Sequence, residues 1–236
     1  TDLHLKDARI DYANIKTLGT PRRLTLVIED IAKKQSTLHE KLRGPSFKVA
    51  YDEEKKPTKA LLGFMRGQGV SEENLITEEI NGTPYVFAEK CVQGEEVVKL
   101  LPEILKSIIL SLSFQKPMRW ADQQAKFVRP IHWIVSLLDD EVVPFAFESI
   151  VADRFSMGHR FLSNDKIIIS SAQDYHKLLL ENWVMVDGDE RKNKILSEME
   201  KIAQETDLWI QEDQELLEEV VYLLEYPTVL MGSFEK

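Results

Sequence analysis

Three short clusters within residues 114–161 set an arginine beside an aromatic ring. They are Pro117-Met118-Arg119-Trp120, Phe127-Val128-Arg129-Pro130-Ile131-His132-Trp133 and Gly158-His159-Arg160-Phe161. A guanidinium is a planar fork of N–H donors that matches carboxylate or phosphate and stacks on rings. Such clusters suit an anionic, planar partner such as a nucleic-acid end. The same residues also serve as internal ion pairs, with the stem along an apolar edge and the head on a carbonyl or an acid. His132 lies in an apolar run, which favours a satisfied core histidine. His159 stands between Gly158, where backbone can approach a ligand closely, and Arg160. A second small basic site, Lys41 with Arg43, falls in a polar stretch that reads as a solvated loop.

No catalytic constellation can be assembled around these residues. Asp122, Asp139, Asp140 and Asp153 are near the histidines in sequence, yet no HExxH, paired metal-spaced histidines, P-loop or Gly-x-Ser-x-Gly occurs. The Gly67-Gln68-Gly69 triplet is no dinucleotide fingerprint, because it ends a helix instead of linking strand to helix. No metal ligand set and no catalytic residue is expected. The lone Cys91 excludes an intramolecular disulfide and a cysteine zinc cluster, which points to a reducing, cytoplasmic setting. No apolar run approaches the roughly 20 residues that cross a bilayer, so no membrane partner is expected.

The net charge of −10 is unevenly placed. From Leu162 onward there are 7 Lys and Arg against 17 Asp and Glu, whereas the preceding residues balance at 23 of each. Nucleic-acid affinity rests on cations neutralising phosphates, so any contact belongs to the neutral part that carries the arginine clusters.

The elements that must position these residues follow from periodicity. Residues 10–16 and 24–31 alternate around a break at Leu18-Gly19-Thr20-Pro21 and predict a hairpin, with Arg22 and Arg23 as surface strand charges that discourage edge pairing. Residues 35–54, broken by Gly44-Pro45, predict a connector. A helix follows from Pro57-Thr58-Lys59 to Gly67-Gln68-Gly69, then an Asn81-Gly82 turn and a strand over 83–92. Residues 95–112 carry the clearest helical pattern, with Pro102 predicting a kink or a late start. Residues 127–138 and 141–147 predict a hairpin near the sheet centre. Further strands are expected at 167–170 and 184–187, and a helix between them through Glu181. Amphipathic helices at 189–206 and 211–225 and a closing strand at 227–231 complete the pattern. The fold class expected is α+β, a mixed, largely antiparallel sheet with flanking helices over 1–187 and an acidic helical arm over 188–236.

Other segments extend the pattern: Thr20-Pro21-Arg22-Arg23-Leu24, Lys41-Leu42-Arg43-Gly44-Pro45, Lys59 to Val70 (KALLGFMRGQGV), Leu100-Leu101-Pro102-Glu103-Ile104 and Tyr222 to Met231 (YLLEYPTVLM). Taken in order with the three arginine clusters, they resemble the beta subunit family of bacterial heterotetrameric glycyl-tRNA synthetase. Against that family the chain opens after the usual first strand and helix and stops well short, so it reads as an N-terminal fragment.

The resemblance implies a mixed-sheet domain similar to one in the larger subunit of the phenylalanyl enzyme. It implies a role in an aminoacyl-tRNA synthetase, a glycine–tRNA ligase, in which a separate alpha subunit uses ATP and magnesium for the chemistry. This part is expected to hold no cofactor of its own. The partners implied are the alpha subunit, tRNA(Gly) and a second beta subunit. Contacts to tRNA or subunit would fall on Arg119, Trp120, Arg129, His159, Arg160 and Arg43. Two other readings stand beside this one: a pure assembly scaffold with the arginines as internal ion pairs, and a hydrolase acting on mischarged tRNA through His132 and His159.

Overall fold

A computed structural model describes residues 1–163, 165–211 and 213–234. The chain divides into two compact units, Thr1–Leu5 with Tyr12–Ile31 and Val98–Lys236, and Lys6–Asp11 with Ala32–Val97. Helices and antiparallel strand pairs share the chain, so the α+β class holds.

After a short helix, α1 (Asp2–Asp7), comes a hairpin of β1 (Asn14–Thr20) and β2 (Arg23–Glu29). The predicted break narrows to Pro21-Arg22, because Leu18, Gly19 and Thr20 remain in β1, opposite Thr25, Leu24 and Arg23. Proline lacks an N–H and fits the loop, where none is needed. Arg23 therefore opens a strand and turns into the interior.

The second unit is built on β3 (Leu38–Ser46), which lies where the polar composition predicts a loop. Its exposure alternates residue by residue: Leu38, Glu40 and Leu42 are half-buried, while His39, Lys41 and Arg43 face solvent. That is a one-sided strand whose outward positions happen to be polar. A helical turn, α2 (Phe47–Ala50), leads to α3 (Lys59–Gln68), whose first turn is capped by the Thr58 hydroxyl accepting from Leu61 N–H. Gly69 ends it at φ 66°, the left-handed cap that glycine adopts without strain. Strands β4 (Leu75–Ile80) and β5 (Thr83–Val92) join at the predicted Asn81-Gly82 turn, and β5 is central in the order β3-β5-β4. Ala50, Leu61 and Val86 form the core beneath.

In the first unit, helix α4 (Val97–Ser111) starts upstream of Pro102, so the late start is excluded. Its Leu105 and Ile109 pack on Phe145, Phe147 and Ala152. The expected central hairpin does not form. The described residues of the stretch 112–170 fold instead as four small antiparallel pairs: β6 (Met118–Arg119) with β7 (Lys126–Phe127), β8 (Leu137–Leu138) with β9 (Glu141–Val142), β10 (Ala146–Phe147) with β11 (Ile150–Val151), and β12 (Phe155–Met157) with β13 (Lys166–Ile168). The predicted Asp139-Asp140 turn survives between β8 and β9. Around it, Val143, Phe145 and Phe147 point inward by simple alternation, and their run reads as one long strand in sequence.

Helix α5 (Tyr175–Glu181) is followed by residues 184–187, which form no ladder. Val184 and Val186 are instead buried in a core with Ile167, Ile169 and Leu179. Helix α6 (Gly188–Thr206) is capped by the Asp187 carboxylate, which accepts from Asp189 and Glu190 N–H. The last helix, α7 (Gln214–Val221), is shorter than predicted, and 227–231 form no strand; Val229 N–H donates to the Glu198 carboxylate at 2.9 Å instead. Ile195 of α6 packs on Leu217 and Val221 of α7. Arg191, fully buried, donates to the carbonyls of Val221 at 2.9 Å, Gly19 at 2.7 Å and Met185 at 2.5 Å. The Val221 carbonyl closes α7, where the helix dipole favours a cation.

Candidate functional site

The β1–β2 turn, the loop after β12 and the segment after α7 converge on one group of charges. Arg23 is 6% exposed; one Nη donates to the Glu225 carboxylate and the other to the carbonyls of Met157 and, at 3.3 Å, Gly158. Arg22 donates to the Gly158 carbonyl at 3.2 Å and to the other Glu225 oxygen at 3.3 Å. Thr20 Oγ1 donates to Glu225 at 2.9 Å. Both guanidiniums lie over the Trp133 ring, 5.7 Å and 5.6 Å from its centroid. Burial holds the Arg23 guanidinium at about 10, below arginine's ordinary range, and it remains charged at neutral pH. Among the described residues its buried Nε has no hydrogen-bond partner.

Above this base sits the Gly158-His159-Arg160-Phe161 loop, and its shape is tightly fixed. A Cβ on Gly158 would stand 1.9 Å from the Ser163 carbonyl oxygen, so only glycine lets the two backbones meet. Gly158 N–H donates to Asp165 O at 2.9 Å, His159 N–H to Asn182 O at 3.0 Å and Ser163 N–H to His159 O at 3.0 Å. The His159 Nδ1 accepts from the N–H groups of Phe161 and Leu162, both at 3.2 Å. Accepting at Nδ1 requires an unprotonated nitrogen there, and burial, then Arg22 and Arg23, push the imidazole pKa down. The turn thus presents Arg160, exposed, and Phe161, which is 85% exposed. Arg22 is also pushed down, first by burial and then by the Arg160 charge, so the two cations act on one another. Among the described residues Glu225 is the acid ion-paired to this group. One carboxylate answers two guanidiniums, those of Arg22 and Arg23, and Arg160 stands exposed beside them, so the three cations outnumber the one acid ion-paired to them among the described residues.

Of the residues singled out from sequence, the structure brings His159 and Arg160 together with Trp133 through Arg22 and Arg23. Arg119 is exposed in β6, and Trp120 donates from Nε1 to Phe127 O at 3.0 Å, tying β6 to β7. Arg129 is exposed outside any ladder. Arg43 belongs to the other unit, where it stacks on Tyr85 at 3.9 Å. His132 is exposed, not a core histidine, because the run around it forms no buried strand. Arg22 and Arg23, expected to be surface charges, form the base of the site, and Glu225 goes unremarked in the pattern. The available signal was Arg23 in the first position of a strand with Glu225 inside an otherwise apolar segment. A separate groove of about 350 Å³ lies at the end of α4, lined by Leu110, Leu112, Phe114, Phe127 and Phe147 among others. Among the described residues no grouping of three or more His, Cys, Asp or Glu could hold a metal ion, and no helix is long and apolar enough to cross a membrane.

The model of the family described as glycyl-tRNA synthetase beta subunit matches residues 1–236. Glycine–tRNA ligase beta subunits of Halalkalibacterium halodurans, Lactiplantibacillus plantarum and Desulfitobacterium hafniense are 44%, 42% and 41% identical to this chain over 98% of its length. The chain spans about a third of the length of these curated relatives, 33% of each.

Proposed function

Since the chain belongs to the glycyl-tRNA synthetase beta-subunit family, we propose that it is a non-catalytic module of a glycine–tRNA ligase. It supports ATP-dependent charging of tRNA(Gly) in the cytoplasm by assembling with an alpha subunit and by positioning the tRNA. Bond-making, with ATP and magnesium, belongs to the alpha subunit; a second beta subunit completes the assembly.

The observation that carries this reading is the surplus of positive charge at Arg22, Arg23 and Arg160 in a chain of net charge −10. A rigid loop that exposes Arg160 beside two guanidiniums sharing one carboxylate is suited to phosphate, and phosphate contacts fix register on a nucleic acid. The scaffold reading accounts for Arg23, which is internally paired, and leaves exposed Arg160 without a task. The hydrolase reading lacks its pair: His132 is exposed away from any described acid contact, and His159 spends Nδ1 on its own backbone.

The test is Arg160→Glu in the full alpha–beta assembly. The KM for tRNA should rise, while glycine-dependent ATP–pyrophosphate exchange without tRNA stays unchanged. An unaltered KM for tRNA removes the positioning role.

A further inference from the structure

We propose that the Gly158–Phe161 loop is a site for a single unpaired nucleotide, with the base stacked on Phe161 and its phosphate against Arg160 and Arg22. This rests on the tRNA-positioning reading and assigns it a ligand class: a single-stranded RNA end or a flipped base, as distinct from a duplex backbone.

Three features point there. Phe161 is 85% exposed, yet the backbone beneath it is fixed, since its own N–H and that of Leu162 both donate to His159 Nδ1. A ring held out by a rigid turn loses little freedom on stacking, unlike a ring on a mobile loop. His159 stands 6.2 Å away, ring centroid to centroid, at 57°, so one face of the Phe161 environment is already aromatic. Finally, a cation at the base of the loop is held in place: Arg22 is fixed between Gly158 O, Glu225 and the Trp133 ring, and Arg160 precedes Phe161 in the chain. Alternating ring and cation is the pattern that binds single strands, because every base has a stacking face and every linkage a charge.

A protein partner fits this surface less well. Phe161 and Leu162 are adjoining exposed apolar residues, 85% and 55% exposed, next to a charged Arg160. A stable protein interface covers about 800 Å² per partner and depletes charge at its centre. One ring matches one base.

The experiment uses the full-length beta subunit assembled with its alpha subunit. Fluorescein-labelled single-stranded oligoadenylate and a blunt-ended, two-strand RNA duplex are bound by anisotropy, and ultraviolet cross-linking locates the contacted peptide. Phe161→Ala should weaken oligoadenylate binding about 5- to 150-fold and remove the cross-link at this loop. Duplex binding should be spared, and Phe161→Trp should restore the single-strand affinity. Equal oligoadenylate binding by Phe161→Ala with no cross-link at the loop overturns the proposal. If Arg160→Gln weakens both probes while Phe161→Ala changes neither, tRNA positioning stands and base stacking falls. If neither substitution changes RNA binding, both fall. Loss of alpha-subunit assembly on Phe161→Ala, seen by gel filtration, makes the loop a protein contact and also overturns it.

Discussion

Arg23 and Glu225 form a buried ion pair at the foot of the Gly158–Phe161 loop, with Glu225 also held by Thr20 and Arg22. The pair joins the first hairpin to the segment after the last helix, and the loop rests on both. Its stability and its shape are therefore linked.

Arg23→Met should destabilise the fold by about 3–5 kcal/mol, because it leaves a buried carboxylate half-answered. Arg22 and Thr20 remain, so the lower part of that range is expected. Adding Glu225→Gln should recover part of the loss, since it removes the orphaned charge. Chemical denaturation of the two single variants and the double variant measures the coupling; strict additivity refutes the pair.

Gly158→Ala should be damaging despite the small change, because the new methyl meets backbone and not a flexible side chain. A cost of about 1–3 kcal/mol or more is expected from overpacking. The loop, unable to keep its path, should lose tRNA affinity even where the protein stays folded. A variant with unchanged thermal midpoint and unchanged tRNA KM contradicts the geometry.

Arg191→Lys is expected to behave as a non-conservative substitution. The guanidinium reaches three carbonyls, of Gly19, Met185 and Val221, in the fixed geometry of its fork. An ammonium on a shorter head cannot reach all three, and each buried carbonyl left bare costs about 1–3 kcal/mol. Urea unfolding should show a loss of a few kcal/mol for Arg191→Lys and a larger one for Arg191→Met.

His159 gives the loop a pH dependence of known sign. Its folded pKa lies below the unfolded value of about 6.5, so the unfolded chain binds the proton more readily. Its contribution is fully present above about pH 6.5 and is lost as pH falls toward the folded pKa. Protonation of Nδ1 would also break both N–H contacts. Comparing denaturation at about pH 7.5 and about pH 5.5, the fall in stability should be smaller for His159→Ala than for the parent chain.

The parts legible in sequence were those set by local rules. Thr58 and Gly69 bracket α3, and Asn81-Gly82 turns β4 into β5, each through short-range chemistry. What stayed hidden depended on distant partners. β3 reads as a loop because its outward side chains are polar, and only pairing with β5 makes it a strand. Val184 and Val186 read as a strand because burial, not a ladder, explains their type. At the site, Arg160 and His159 stood out by their neighbours in sequence. Arg22, Arg23 and Glu225 did not, because their meaning lies in an encounter between the two ends of the chain.

Arg191 carries a further consequence for synthesis. It donates to Gly19, 172 residues earlier in the chain. At about 5–20 residues per second, the first hairpin leaves the ribosome on the order of 10–30 s before that donor exists. During translation the Gly19 carbonyl must wait for this donor, and the module completes itself only when α6 and the end of α7 arrive.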